Sequence, residues 1–145
     1  MSVGRICSRV LATASPQETV RVAAERMAEF DVGTLVVLDP GNGRPAGLVT
    51  DRDVVTRVVA ERCDAATTLV DRAMSTPVRT VDEHAPIEEA VLQMAAAGIR
   101  RLVVTGDGGR VVGILSLDDV LRRIADQAGA MGRLVQEQRP SIPAA

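Results

Sequence analysis

Lysine, tryptophan and tyrosine are absent from this chain, and Phe30 is its single aromatic residue. Without aromatic side chains there are no platforms on which the bases of single-stranded nucleic acid can stack. All 17 basic residues are arginines, and with 19 acidic residues they leave a formal net charge of −2. Such a balance exerts no general attraction on nucleic acid or on anionic membrane surfaces. We therefore expect neither nucleic acid nor a membrane as a partner.

Cysteine and histidine are also scarce, since only Cys7, Cys63 and His84 are present. Two scattered cysteines and one histidine match neither a disulfide framework nor the spaced ligands of a metal site. We expect Cys7 to be a small core residue and His84 to lie on the surface. The sequence also lacks a nucleophile with an adjacent base and a third, orienting residue. It therefore offers no support for an enzyme.

Long apolar runs are missing as well. The longest reach four or five residues, whereas a helix that crosses a bilayer needs about 20. The N-terminal stretch MSVGRICSRVLATAS has no continuous apolar segment followed by a small-residue cleavage site. We therefore expect a cytoplasmic protein. Hydrophobic residues at 46% and charged residues at 25% are typical of a soluble globular protein, and 145 residues suit one domain or two small fused halves.

The chain contains an internal repeat. At an offset of 67 residues, TASPQETVRVAAERMAEFDVGTLVVLD aligns with TVDEHAPIEEAVLQMAAAGIRRLVVTG, so that Met27 matches Met94 and LVV matches LVV. One residue is then lost in a turn, and GLVTDRD from Gly47 aligns with GILSLDD from Gly113. Such self-similarity indicates two copies of one structural unit.

Each copy predicts the same order of elements: strand, helix, strand, strand, helix. Apolar residues spaced i, i+3, i+4, i+7 predict one-sided first helices from Val20 and from Ile87. Buried strands at 35–38 and 102–104 precede a glycine-rich turn and a second strand. A second helix is predicted to start at Thr50 and at Ser116. We expect its inward face to carry Val54, Val55, Val58 and Val59 in the first copy, and Val120, Leu121 and Ile124 in the second. Met131, Leu134 and Val135 predict a further short helix, followed by a frayed RPSIPAA.

These residues resemble a known family, the tandem pair of CBS domains called a Bateman module. The resemblance covers about residues 5–127 and depends on AMSTPVRTV between the repeats, on GIRRLVV, and on the two glycine-led corners. It implies an α/β (α+β) fold of two tandem β-α-β-β-α repeats packed with pseudo-two-fold symmetry. We assign residues 5–64 to the first repeat, 65–79 to a linker and the start of the second, 80–127 to the second repeat, and 128–145 to a tail. Family members commonly bind adenine nucleotides or adenosyl compounds between the repeats, regulate another protein, form disc-shaped dimers through their helices, and are not generally catalysts.

The two corners allow two interpretations. Thr50 with Asp53, and Ser116 with Asp119, have the spacing of a capping box, in which both side chains satisfy backbone N–H groups at a helix start. By the resemblance, the same four residues would bind the ribose hydroxyls of two ligands, and an acidic residue suits that task because it accepts hydrogen bonds from both hydroxyls. Glycines three residues earlier, Gly47 and Gly113, would let a ligand approach the strand closely.

Phosphate binding is predicted at Arg100 and Arg101, because guanidinium groups match phosphate oxygens. The alternative is a solvated pair or an ion pair with Glu88 or Asp119. The equivalents in the first copy are Gly33 and Thr34, which carry no charge. The resemblance implies that the ribose and phosphate contacts of one site come from different repeats, so we expect one site that combines Thr50 and Asp53 with the two arginines. The site at Ser116 and Asp119 is expected to be weaker, empty or suited to a less phosphorylated ligand.

The resemblance also implies where adenine would pack. Without aromatic residues, the base must lie between aliphatic side chains while backbone groups read its edge. The residues implied are Val78 and Arg79 at one site and Leu11 and Ala12 at the other, with Val32 and Ile99 packing.

Three hypotheses follow for function. The first is a regulatory sensor, with no required cofactor, that binds AMP, ADP, ATP or a related ligand such as NAD or S-adenosylmethionine, forms a homodimer and modulates an unknown protein. The second is a ligand-free interaction module of the same fold. The third is a redox sensor that uses Cys7 or Cys63, for which the sequence shows no feature that lowers a thiol pKa.

Overall fold

A computed structural model describes residues 1–138 of the chain. The segment RPSIPAA, which was expected to be frayed, comprises residues 139–145 and lies outside the described residues. The first repeat contains β1 (Thr13–Ala14), α1 (Val20–Phe30), β2 (Thr34–Leu38), β3 (Pro45–Thr50) and α2 (Asp51–Val54), which continues as a π-helical turn over Val55–Val59. A short helix, α3 (Val70–Ala73), follows. The second repeat contains β4 (Thr80–Asp82), α4 (Ile87–Ala97), β5 (Arg101–Thr105), β6 (Val111–Ser116) and α5 (Leu117–Glu137).

The predicted order of elements is confirmed, and it forms two three-stranded sheets. One has the order β1-β2-β3 and the other β4-β5-β6. In each sheet the first strand is parallel and the third antiparallel to the central strand. The register is the same in both copies, because Val37 lies opposite Gly47 and Val104 opposite Gly113. The fold is thus a duplicated mixed α/β unit.

Each sheet packs its own helices on one face. Leu35, Val37 and Val49 are fully buried with α1 and the π-helical turn, and Leu102, Val104 and Leu115 form the matching cluster in the second repeat. The intervening strand residues, Val36 and Val103, are also buried and belong to neither cluster. Since successive strand residues point to opposite faces, both faces of each central strand are covered.

The segment before each repeat packs on the other repeat. Val3 is fully buried in the second cluster, and Ser8 forms a bridge with Ile114 on β6. In the same way, α3 is buried in the first cluster, and Ser75 forms a bridge with Leu48 on β3. Two segments therefore hold the halves together through backbone hydrogen bonds.

This crossing explains Gly47 and Gly113, and it corrects the expectation that they admit a ligand. A Cβ at Gly47 would lie 2.7 Å from Met74 Sδ and 2.9 Å from the Ser75 carbonyl oxygen. At Gly113 the nearest atoms are Cys7 Sγ and the Ser8 carbonyl oxygen, both at 2.8 Å. The missing side chains make room for the crossing segments.

The expected inward faces of the second helices were partly wrong. Val58 and Val120 are buried, and Val54 is half-buried against the first cluster. However, Val55, Val59, Leu121 and Ile124 are more than half exposed. Only one side of each helix can cover the sheet, and these four residues lie on the other side, where no described segment packs.

The tail does not form a separate short helix. Instead, α5 runs unbroken to Glu137, and Met131, Leu134 and Val135 are exposed along it. Within residues 1–138 no helix combines the length and apolar character needed to span a bilayer.

The crossing predicts unequal effects of adding a methyl group at different glycines. Gly47→Ala and Gly113→Ala should each lower the free energy of unfolding by about 1–3 kcal/mol, because the Cβ would overlap a backbone carbonyl. Gly129→Ala is the control, since it lies in α5, where its Cβ would be 3.7 Å from Arg133 Nη1, an ordinary contact. There the change should stabilise by about 0.5–1 kcal/mol through helix propensity. Urea unfolding measures all three, and equal stabilities would contradict the packing role.

Candidate functional site

The two helix corners form complete capping boxes. Thr50 Oγ1 accepts a hydrogen bond from the Asp53 N–H at 3.1 Å, while Asp53 Oδ2 accepts one from the Thr50 N–H at 2.9 Å. Ser116 and Asp119 repeat both distances. Each corner is also fixed to the loop before the central strand, because Asp51 N–H donates to the Gly33 carbonyl and Leu117 N–H to the Arg100 carbonyl. The capping interpretation is therefore realised in the structure.

Each carboxylate caps its helix through only one oxygen. The nearest charged neighbours of the second oxygen are Arg57 Nε, 3.7 Å from Asp53 Oδ1, and Arg122 Nη1, 3.9 Å from Asp119 Oδ1. Both distances are too long for strong hydrogen bonds. The side chains of Asp53 and Asp119 are 14% and 23% exposed. Each therefore keeps hydrogen-bonding capacity for a further donor.

A first cavity of about 390 Å³ lies between the two repeats. Its wall from the first repeat includes Thr50 and Asp53, and its wall from the second includes Arg100 and Arg101. The remaining lining residues come from β3, the adjoining corner, the linker and the loop between α4 and β5: Leu48, Asp51, Arg52, Ser75, Pro77, Val78, Arg79 and Ile99. The structure thus brings together the residues that the sequence assigned to one site.

The first cavity is more basic than the sequence suggested. Four guanidinium groups and two carboxylates line it, because Arg52 and Arg79 join the predicted arginines. Arg79 was expected only beside the base, and Arg52 was missed. The repeat alignment could have revealed both arginines, because each replaces a residue without positive charge in the other copy. Arg79 is equivalent to Ala12, and Arg52 to Asp118.

A second cavity of about 250 Å³ lies at the equivalent place in the other half. It contains Ser116 and Asp119 with the predicted packing residues Leu11, Ala12 and Val32. Gly33 and Thr34 stand where the first cavity has Arg100 and Arg101. Its charged groups are Asp118, Asp119 and one arginine, Arg101. The expected difference in charge between the sites is thus present in the structure.

Arg101 lines both cavities. It is the first residue of β5 and is paired with Ser116 across the sheet, which places it beside the second corner. Among the described residues no carboxylate forms an ion pair with its guanidinium. That Arg101 would line both cavities was not predicted from the sequence.

Arg100 has a different ion-pair partner from the two that the alternative interpretation considered. Its Nη2 lies 3.2 Å from Asp118 Oδ1, and neither Glu88 nor Asp119 is the partner. The two side chains are 68% and 64% exposed, so solvent screens the pair and it contributes little to stability. Arg100 is therefore available to a competing anion.

Thr34 supplies an unused hydrogen-bonding group at the second cavity. Its hydroxyl oxygen is buried and has no partner within residues 1–138. Buried hydroxyls normally have a partner in the protein or in ordered water. It is an unsatisfied group beside the second cavity, and its burial leaves it no direct contact with a ligand there.

Cys7 does not have the lowered thiol pKa that a redox sensor needs. Burial raises the pKa of the Cys7 thiol, against a smaller opposing effect of Arg9, and Cys7 packs against the second cluster as expected for a core residue. Cys63 is half-buried against the first cluster. His84 is exposed, as expected, and in the part of the chain that the structure describes no His, Cys, Asp and Glu side chains are grouped to hold a metal ion.

Comparison with known proteins identifies the family. The CBS domain model matches residues 3–60 and 70–126. An uncharacterised protein of Methanopyrus kandleri, MK0525, is 36% identical over 122 residues, which are 84% of this chain and 62% of that protein. The chain thus spans less than two thirds of that relative's length.

Two solved structures show the same architecture. CBS domain protein PAE2072 of Pyrobaculum aerophilum, complexed with AMP, is 28% identical with a TM-score of 0.74, covering 82% of this chain and 89% of that one. A putative signal-transduction protein with CBS domains from Burkholderia ambifaria is 27% identical with a TM-score of 0.76, covering 99% and 100%. The chain therefore belongs to the CBS domain family, and its two repeats form a tandem CBS pair.

The raised pKa of Cys7 predicts slow modification by thiol reagents. In a Cys63→Ser variant at pH 7, Cys7 should react more slowly than in the same chain unfolded in urea, because the thiolate is the reactive form. The midpoint of the rate against pH should lie above that of the unfolded chain. Between the two pKa values only the unfolded thiol has lost its proton, so the contribution of Cys7 to stability is present at neutral pH and decreases as pH rises through this window. A folded thiol that reacts faster than the unfolded one would restore the redox hypothesis.

Proposed function

We propose that this tandem CBS pair is a regulatory module that binds an adenine nucleotide, AMP, ADP or ATP, in the first cavity. The observation that carries the proposal is the arrangement of this cavity. A hydroxyl and a carboxylate at Thr50 and Asp53 stand on one wall, and the guanidinium groups of Arg100 and Arg101 on the other. Aliphatic side chains lie between them. The sugar, phosphate and base of a nucleotide require these three kinds of surface.

The ribose would bind at the corner. Asp53 caps its helix through Oδ2, so Oδ1 is free to accept a hydrogen bond from a ribose hydroxyl. A charged acceptor makes stronger hydrogen bonds than a neutral one. Capping and ribose binding are therefore compatible at this residue.

The base would lie between aliphatic side chains. Leu48, Pro77, Val78 and Ile99 line the first cavity, and its volume of about 390 Å³ is within the usual range for small-molecule sites. The backbone beside Val78 and Arg79 supplies groups that can read the edge of adenine. Such reading needs no aromatic residue.

The phosphates would bind the arginines. Arg79, Arg100 and Arg101 can each present two N–H groups to phosphate oxygens. Arg100 would exchange its exposed partner Asp118 for the phosphate. The AMP complex of PAE2072, a protein similar over 82% of this chain, supports AMP as the first ligand to test.

Regulation would act through a shift in population. A bound ligand changes the equilibrium between two states only by the difference in its affinity for them. Since the first cavity lies between the repeats, a nucleotide there would favour arrangements in which both walls are close. The protein that responds to this change is unknown.

The exposed apolar helix residues favour a homodimer. Val55, Val59, Leu92, Leu121 and Ile124 are each more than half exposed. A cavity of about 540 Å³ runs between α4 and α5 and is lined by Val91, Leu92, Val120 and Ile124 among others. An exposed apolar surface of this kind marks an interaction site. We propose that a second copy covers it.

A ligand-free interaction module is the second candidate. The observation in its favour is that both capping boxes are complete, so that Thr50, Asp53, Ser116 and Asp119 already have a structural role. In that case the corners only stabilise helix starts, and the helix faces carry the function.

Ligand binding separates the two candidates. Thermal unfolding with AMP, ADP, ATP, NAD or S-adenosylmethionine, each at about 100 times its dissociation constant, should show a higher midpoint for a true ligand, corresponding to about 2.7 kcal/mol. Asp53→Ala should abolish most of this shift, measured from that variant's own midpoint so that the lost cap cancels. Asp126→Ala, a charge loss on exposed α5 outside both cavities, is the control. If no adenine compound changes the midpoint, the interaction module replaces the sensor.

Disruption of the helix face tests the dimer. Leu121→Arg places a charge within the exposed apolar surface and should convert a dimer to a monomer in sedimentation equilibrium. Gln136→Arg on the same helix adds the same charge near its end and should leave the dimer intact. A monomeric parent protein, or a Leu121→Arg variant that remains dimeric, would refute this assembly.

A further inference from the structure

The two cavities share one cation. Arg101 lines both, and no carboxylate of residues 1–138 forms an ion pair with it. A flexible guanidinium group between two cavities can bind an anion in either one. It cannot bind an anion in both cavities at the same time.

A second link joins the same cavities. Arg100 lines the first and Asp118 lines the second, and they are paired at 3.2 Å. An anion in the first cavity would attract Arg100 and weaken this pair. Asp118 would then lose its cation on the side of the second cavity.

The second cavity has little positive charge to lose. Its charged groups are two carboxylates, Asp118 and Asp119, and the shared Arg101. The first cavity keeps Arg52 and Arg79, which line it alone. Withdrawal of Arg101 therefore leaves the second cavity acidic, whereas the first stays basic in either case.

We infer that the two cavities are coupled through Arg101. An anionic ligand in the first cavity withdraws this arginine from the second, so that a second anionic ligand binds more weakly, while a neutral nucleoside in the second cavity is little affected. This inference rests on the proposed function of the first cavity. By linkage, an anion in the second cavity weakens anion binding in the first by the same factor.

The coupling should be modest. Site-to-site coupling commonly changes affinity by about 5- to 150-fold. Because Arg100 and Arg101 are exposed, solvent and salt screen their charges, and we expect a factor of about 5 at low ionic strength that decreases as salt is added.

Calorimetric titration with AMP and with adenosine tests the inference. The Asp53→Ala, Arg79→Ala double variant disables the first cavity and leaves Arg101 in place. AMP should bind the second cavity of this variant about 5-fold more tightly than it binds in the second step of the unmodified protein. Adenosine should bind the second cavity equally well in the double variant and in the unmodified protein given one equivalent of AMP, which occupies the first cavity and leaves the second open. The Asp126→Ala control should behave as the unmodified protein.

An Arg101→Ala substitution shows whether Arg101 itself causes the coupling. When Arg101→Ala is added to both proteins, the 5-fold difference for AMP should disappear. If it persists, direct repulsion between phosphates is the cause and Arg101 is not.

Three further results of these titrations would overturn the coupling. Equal AMP affinities in the double variant and in the second step of the unmodified protein overturn the coupling but leave the proposed function intact. AMP binding in the first cavity alone, with none in the double variant, also overturns it, because the second cavity then takes no anion. If neither AMP nor adenosine binds, the inference falls, and the proposed function is wrong as well if ADP and ATP also fail to bind.

Discussion

The arrangement of this protein depends on two backbone crossings. Ser8 is hydrogen bonded to Ile114, and Ser75 to Leu48, so that the segment before each repeat lies on the other repeat. Each crossing needs a strand residue without a side chain, and the duplicated glycines Gly47 and Gly113 provide it. The crossing segments then continue as walls of the cavities, through Ser8–Ala12 in one case and Ser75–Arg79 in the other. The same contacts therefore hold the halves together and form the candidate binding sites.

The duplicated backbone has acquired unequal charges. Equivalent positions line both cavities, but four arginines line the first and a single arginine lines the second. Each change is a replacement within an unchanged frame: Arg100 stands for Gly33, Arg101 for Thr34, and Arg79 for Ala12. The two halves therefore present equivalent cavities, of about 390 and 250 Å³, with different charges, and Arg101 lines both.

Much of the fold and part of the site could be predicted from the sequence, because a repeat reports local structure twice. The elements, the corners at Thr50 and Ser116, and the meeting of Asp53 with Arg100 and Arg101 in one cavity follow from periodicity, the offset alignment and the family resemblance. Whether these residues bind ribose and phosphate stays a prediction. The sequence could not show which half each linking segment packs on, because that depends on contacts between residues far apart in the chain: Ser8 and Ile114 are 106 positions apart, and Ser75 and Leu48 are 27.

The spacing of apolar residues also could not distinguish the helix face that packs on the sheet from an apolar helix face that is exposed. For that reason Leu121 and Ile124 were expected inside and lie outside.

A crystal structure of the protein with AMP tests the central claim most directly. The account predicts AMP in the first cavity, with its ribose hydroxyls on the Asp53 carboxylate and its phosphate on the guanidinium groups of Arg100 or Arg101. An empty cavity at saturating AMP, with Asp53 bonded only to the Thr50 N–H, would contradict it.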